Sequence, residues 1–260
     1  MATYNKRGYK QPKPQDENTE NQVDQFEEVV TDNSTTAEIF NTLDEKAGKF
    51  EGFVAKNQKL IFGVVGAFAG IALIYGLYTK FVAEPKETEA ANEMFQAQQY
   101  FTQAGQGFAA DSLYNLALNG GEGKYGLLRI IEDYSGTEAA NLAQYYAGLS
   151  YLNTGKFKEA ITHLEKYKAN DKITKPLALG AIGDAFVEND QKEEGLAYYI
   201  KAYKADNNEF TTPRFLFKAG TLALDLGKKE EALKYFTDIK EQYSTSIEAS
   251  NVEGYIGLAQ

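Results

Sequence analysis

The sequence predicts an all-α protein: a single N-terminal transmembrane helix followed by a solenoid of stacked helical pairs. Three observations carry this. Leu60 to Thr79 is a run of twenty residues without a charge. Glycines stand at 148, 183 and 220, separated by 35 and 37 residues. Twelve residues after each glycine comes a small residue, and four further on a large one. The first pattern suits lipid, and the second suits helices that must approach closely at a fixed period.

A helix rises about 1.5 Å per residue, so the uncharged run covers roughly 30 Å, the thickness of a bilayer's hydrocarbon core. The expected span is 59–82. It begins about sixty residues into the chain and exceeds the ~7–15 apolar residues of a signal peptide's core, so an uncleaved anchor is expected. Lys46, Lys49, Lys56 and Lys59 precede it, against Lys80 and Lys86 after it. That excess favours a cytoplasmic N-terminus, which in a bacterium places residues 86–260 in the periplasm and the chain in the inner membrane. Gly63, Gly66, Ala67 and Gly70 share one face of the span and are candidates for close contact with another membrane helix.

Residues 1–34 are polar, with Pro12 and Pro14, a basic tip (Lys6, Arg7, Lys10, Lys13) and an acidic stretch from Asp16 to Asp32. Too little apolar surface is present to fold, so a disordered cytoplasmic tail is expected. From Thr35 the pattern changes. Thr35 and Glu38 form a capping box, and Ile39, Phe40, Leu43, Ala47, Phe50 and Val54 recur every three or four residues. An amphipathic juxtamembrane helix over 35–58, lying in the headgroup layer, is the expectation.

The outer region divides into pairs. The small residues after the glycines are Ala160, Gly195 and Ala232, and the large ones are Leu164, Tyr199 and Phe236. Glycine and small residue let the two helices of a pair cross closely, while the large residue is expected to fill the gap toward the next unit. Ser135–Glu138 reads as a capping box before a helix over 139–153. Pro176 and Pro213 read as first helical positions. Before the three units, Glu87–Phe108 and Tyr125–Tyr134 read as a less regular pair, with 111–123 between them and a loop over 119–123. Ile247–Gln260 reads as a capping helix. The period matches tetratricopeptide repeats, and the units resemble them.

Composition narrows the function. Residues 81–260 hold 18 Lys/Arg against 26 Asp/Glu, a net charge of −8, which disfavours nucleic acid. Cysteine is absent and His163 is the one histidine, so thiol catalysis, Cys-ligated zinc and a His pair are impossible. His163, beside Leu164, suits a packed structural role. Gly120, Gly121 and Gly123 lack the Lys-Ser/Thr of a phosphate loop. An enzyme is therefore not expected, nor a cofactor, a metal or a small-molecule substrate.

The layout over roughly 46–260 resembles the YfgM family, membrane-anchored repeat proteins that accompany the bacterial SecYEG translocon. The likeness rests on the anchor, on a long first helix from near Glu87-Thr88-Glu89-Ala90-Ala91, and on Leu142–Gly148 followed by Gly155–Ala160 as the repeat core. The opening Met1–Lys10 and the abundant Asn, Lys and Tyr look like Bacteroidota members. The resemblance implies an accessory role at the translocon exit, with a PpiD-like membrane-anchored periplasmic chaperone as partner. The long tail departs from the family pattern. An envelope scaffold unrelated to Sec is the alternative. In such repeats the first helix of each pair lines a groove. Counted from the glycines, its positions here are Tyr145, Leu149 and Asn153, then Asp184 and Glu188, then Arg214, Phe217, Thr221 and Asp225. A mixed polar and aromatic surface of this kind suits an extended segment or a partner helix.

Overall fold

The structure, a computed structural model, describes residues 50–107, 109–169 and 171–260, with Leu43, Lys46 and Ala47 before them. The tail over 1–34 and the Thr35/Glu38 capping box lie outside the described residues. Leu43, Lys46, Ala47 and residues 50–56 are helical. Helical hydrogen bonding continues through Asn57, whose amide donates to Phe53 O (3.0 Å) and whose carbonyl accepts from Ile61 N (2.9 Å).

The apolar run forms α1, Gln58–Tyr78, with no buried side chain. It is long and apolar enough to cross a membrane. A wide π turn over Thr79–Ala83 follows, and the chain passes without a break into α2, Glu84–Ala104. Pro85 explains the wide turn. It has no N–H for the carbonyl of Phe81 and its ring would strike that carbonyl in a regular helix, so the backbone opens by one residue.

The remaining elements are α3 (Ala110–Asn119), α4 (Leu127–Asp133), α5 (Glu138–Asn153), α6 (Phe157–Lys166), α7 (Thr174–Glu188), α8 (Lys192–Ala205), α9 (Thr211–Asp225), α10 (Lys229–Gln242) and α11 (Val252–Ala259). No strand occurs among the described residues. The pairs α5/α6, α7/α8 and α9/α10 are the three units of the glycine register. The less regular region before them differs from expectation. Most of the stretch 111–123 is helical, and α3, rather than the 125–134 segment, is the main partner of α2.

The packing inside each pair follows from the small residues. A Cβ placed on Gly148 would lie 2.5 Å from Leu164, one on Gly183 2.7 Å from Tyr199, and one on Gly220 2.7 Å from Phe236. The large residue thus lies over the glycine of its own unit, a correction to the gap-filling role toward the next unit. Each pair turns in the same way. Gly155, Asp190 and Gly227 adopt φ of 73°, 62° and 74°, and the next amide reaches back to the helix: Lys156 N to Tyr151 O, Gln191 N to Phe186 O and Lys228 N to Ala223 O, all 2.8 Å. Such bonds satisfy the last carbonyls of the first helix in each pair.

The helix starts also carry corrections. Pro176 and Pro213 are third rather than first in α7 and α9, still within the turn whose amides need no helical acceptor. Two residues before the N-caps Ile173 and Phe210, Asp171 accepts from Ile173 N (2.8 Å) and Thr174 N (2.7 Å), and Asn208 accepts from Phe210 N (3.0 Å) and Thr211 N (2.7 Å). These two stand 37 residues apart. At α5, Thr137 is the N-cap and accepts from Ala140 N (3.0 Å). The carboxylate comes from α2 instead of from within the box. Glu87 accepts from Glu138 N (2.7 Å) and Ala139 N (2.8 Å). Removing it in Glu87→Ala should cost about 1–2 kcal/mol, as expected for a lost helix cap. Urea unfolding of the full chain in micelles measures this, and Glu87→Gln, which keeps one acceptor, should lose less.

Candidate functional site

The first helices α5, α7 and α9 lie side by side, and two adjoining cavities open between them. The larger, about 530 Å³, is lined by Asn153, Phe157, Asp184, Val187, Glu188, Tyr199 and Lys218 among others. The smaller, about 240 Å³, is lined by Thr221, Leu222 and Asp225 together with Val187, Tyr199 and Lys218 from the first. The structure therefore brings Asn153, Asp184, Glu188, Thr221 and Asp225 into one continuous recess.

Its centre is a polar cluster. Lys218 Nζ lies 2.6 and 2.7 Å from the two carboxylate oxygens of Asp184, and the Tyr199 hydroxyl donates to Asp184 Oδ1 at 2.5 Å. Burial first, and the Asp184 carboxylate second, hold the Tyr199 phenol far above its ordinary range, so it stays a neutral donor. The ion pair keeps about a third of each side chain exposed (32 and 30 %), so its worth lies near that of a surface pair. Its larger effect is geometric: three helices from two units are tied at one point. Asp225 is held by Lys192 at 2.6 Å. Glu188 is exposed and makes no ion pair among the described residues. Thr221 spends its hydroxyl on Phe217 O and Lys218 O, and the Asn153 amide donates to Leu149 O at 2.7 Å.

The other groove positions lie elsewhere. Leu149 is half-buried against the cluster of Leu164, Ala181 and Ile182. Phe217 meets Phe236 and Tyr255 edge-on, at 5.8 and 4.8 Å between centroids, so its ring serves packing. Tyr145 stacks obliquely on Tyr167 at 5.0 Å, and burial raises its phenol while the Arg214 guanidinium opposes the shift. Arg214 itself is exposed. Lys218 and Tyr199 escape sequence reasoning as a site. The signal that points to them is the 34-residue offset between Asp184 and Lys218, close to the repeat period. No group of three or more His, Asp or Glu placed to hold a metal occurs among the described residues. On α1, a Cβ on Gly63, Gly66 or Gly70 would meet nothing within 4 Å, and Ala67 is exposed.

His163 lies away from the recess. Its Nδ1 donates to Gln144 Oε1 (2.7 Å) and its ring stacks on Tyr151. Burial, with Lys166 nearby, lowers its pKa below 6.5. A depressed value means that the unfolded chain takes up the proton first. The stability from neutral His163 is thus complete above about pH 6.5 and is lost as pH falls through the lowered folded value. His163→Gln should flatten that part of the curve of unfolding free energy against pH.

The fold defines a helical-repeat protein, and its recess suits the binding of other proteins. Comparison with known proteins agrees at that level. Residues 142–171 and 215–246 match the tetratricopeptide repeat family, and they coincide with the first and third pairs. Over 98 residues the chain is 34% identical to the TPR repeat-containing protein MJ1428 of Methanocaldococcus jannaschii, a stretch that covers 38% of this chain and 17% of that relative. The middle pair, α7/α8, falls outside the family match. Its Gly195 replaces the alanine of its neighbours, and Val187 fills the space a Cβ there would take, at 2.4 Å.

Proposed function

We propose that this chain is a non-enzymatic accessory subunit of the Sec translocon, anchored in the inner membrane with its N-terminus in the cytoplasm and its repeats in the periplasm. In this reading the protein binds a PpiD-like chaperone and holds it where exported polypeptides emerge. The observation that carries it is one chain in which a membrane-length apolar helix leads into an acidic stack of tetratricopeptide-type pairs with a recess built around Asp184, Tyr199 and Lys218. Anchoring raises the local concentration of the recess, so weak contacts suffice for recruitment. In this reading residues 1–34 lie on the cytoplasmic side and 35–58 lead from them to the anchor. Gly63, Gly66, Ala67 and Gly70 give the span a face on which a translocon helix can approach closely.

Purification from membranes in mild detergent should recover SecY and a PpiD-like protein with the chain. Absence of both defeats the translocon role and leaves an envelope scaffold. Asn153→Arg with Glu188→Arg, two exposed changes, should lower chaperone recovery severalfold. If recovery is unchanged, the recess is not the contact, and Gly66→Leu with Gly70→Leu tests the span instead. Protease added to intact spheroplasts should digest the repeats; survival until lysis inverts the topology.

A further inference from the structure

The turns that join one pair to the next lie side by side along one edge of the stack, and hydrogen bonds tie them in sequence. Glu87, in the first turn of α2, holds Glu138 N and Ala139 N at the start of α5. Asn141 donates to Lys168 O (3.0 Å) and accepts from Lys168 N (2.8 Å). Asn208 donates to Lys172 O (3.3 Å), and Asn207 accepts from the Tyr243 hydroxyl (2.5 Å). α2 continues the apolar helix through the π turn, so its first turn brings this edge close to the end of the apolar run. Lys80 and Glu87 are seven residues apart, roughly 10 Å of helix. A headgroup layer is about 5–8 Å deep, so the edge begins near where such a layer would end.

Two features mark the edge. Ile173, Phe210 and Ile247 recur along it at intervals of 37 residues. Ile173 and Phe210 each have a helical pair on both sides, and they remain 39 % and 61 % exposed. Around Ile173, the stretch 165–175 carries Lys166, Lys168, Lys172 and Lys175 against two carboxylates. Both carboxylates are engaged. Glu165 accepts from the Tyr198 hydroxyl (2.8 Å), and Asp171 accepts from Ile173 N and Thr174 N. The four lysines are exposed and make no ion pair among the described residues. Beside them a cavity of about 560 Å³ joins Lys168, Lys175 and Lys201 to an apolar floor of Leu164, Leu179 and Ile182. The acidic charge elsewhere on the stack is screened beyond about 10 Å, so an anionic surface at this edge meets the lysines first.

We propose that this edge of the stack rests on anionic phospholipid, with Ile173 and Phe210 entering the headgroup layer and the lysines meeting phosphates. An acidic polypeptide suits the lysines too, but the place of the edge beside the end of the apolar helix favours lipid. Contact of this kind rests on α1 being a membrane anchor and is independent of the translocon.

The chain has no cysteine, so single cysteines carry a fluorophore to chosen positions. Full-length Glu209→Cys, Lys158→Cys and Phe68→Cys chains are labelled and reconstituted in vesicles of phosphatidylcholine alone, or of equal parts phosphatidylcholine and phosphatidylglycerol, with quenchers on headgroups or acyl chains. Glu209 adjoins Phe210, and Lys158, exposed at the start of α6, lies at the opposite end of the stack. Headgroup quenchers should dim the label at 209 severalfold more than the label at 158, and more strongly in the anionic vesicles. Phe210→Ser with Ile173→Ser, or Lys168→Glu with Lys172→Glu, should bring 209 to the level of 158. Thermal unfolding should not change, because all four side chains are exposed. Equal quenching at 209 and 158, or quenching at 209 that neither pair of substitutions alters, overturns the proposal. So does capture of polyglutamate by the lysines in neutral vesicles without added quenching in anionic ones, which assigns the patch to an acidic polypeptide. A label at Phe68 that acyl-chain quenchers do not reach removes the anchor and this contact together; a quenched Phe68 with an unquenched 209 removes this contact alone.

Discussion

Phe236→Ala should destabilise the repeat stack by about 3–5 kcal/mol, the usual cost of emptying a buried aromatic site. Phe236 is fully buried, and its ring lies over Gly220, meets Phe217 at 5.8 Å and approaches Tyr255 at 5.2 Å. Glycine opposite it supplies no side chain to move into the void, so the cavity should persist. The loss touches α9, α10 and α11 together. Urea unfolding of the full chain, followed by far-ultraviolet circular dichroism, measures it, and amides of α11 should gain hydrogen exchange before those of α5. A change below about 1 kcal/mol would mean that the neighbours collapse onto Gly220, contrary to this packing.

Gly180→Ala should destabilise by about 2 kcal/mol, although helix propensity alone predicts the opposite sign. In an exposed helix interior the exchange gains about 1 kcal/mol. Here the new Cβ would stand 1.9 Å from Cε1 of Phe215, whose side chain is buried and has no free volume to enter. Overpacking costs about 1–3 kcal/mol, and more where the overlap is severe. Sterics therefore win, because the contact joins α7 to α9 across two units. A rise in midpoint would show that Phe215 can rotate away at little cost.

The pairs were legible because close helix crossing demands small residues at a fixed interval, and Gly148, Gly183 and Gly220 mark it without help from tertiary context. The helix α1 was legible for a similar reason, since twenty uncharged residues meet the length and composition of a candidate span by themselves. α3 was harder to read. Its ten residues carry a single pattern of leucines and alanines between glycine-rich ends, too short to separate from a connection. Glu87 was hidden because its partners, the amides of Glu138 and Ala139, lie about fifty residues away, and no local spacing encodes a cap supplied by another helix. Counting from the glycines located the helix faces but not their occupancy. Phe217 shares a groove position with Tyr145, yet the arrival of Tyr255 turns it into packing. Lys218 sits one place beyond a counted position, and only the neighbouring unit's Asp184 makes it part of the recess.

Val187, Tyr199 and Lys218 are walls of both cavities, and the first two belong to the central hairpin, which lies between the two stretches that match the repeat family. The central hairpin thus supplies most of the wall that the two cavities share, while the matched hairpins flank it. Under the proposed function, exchanging residues 174–205 for those of a related protein should change the recess as a unit. Such an exchange would alter the walls between the cavities and leave both flanking hairpins and α1 as they are.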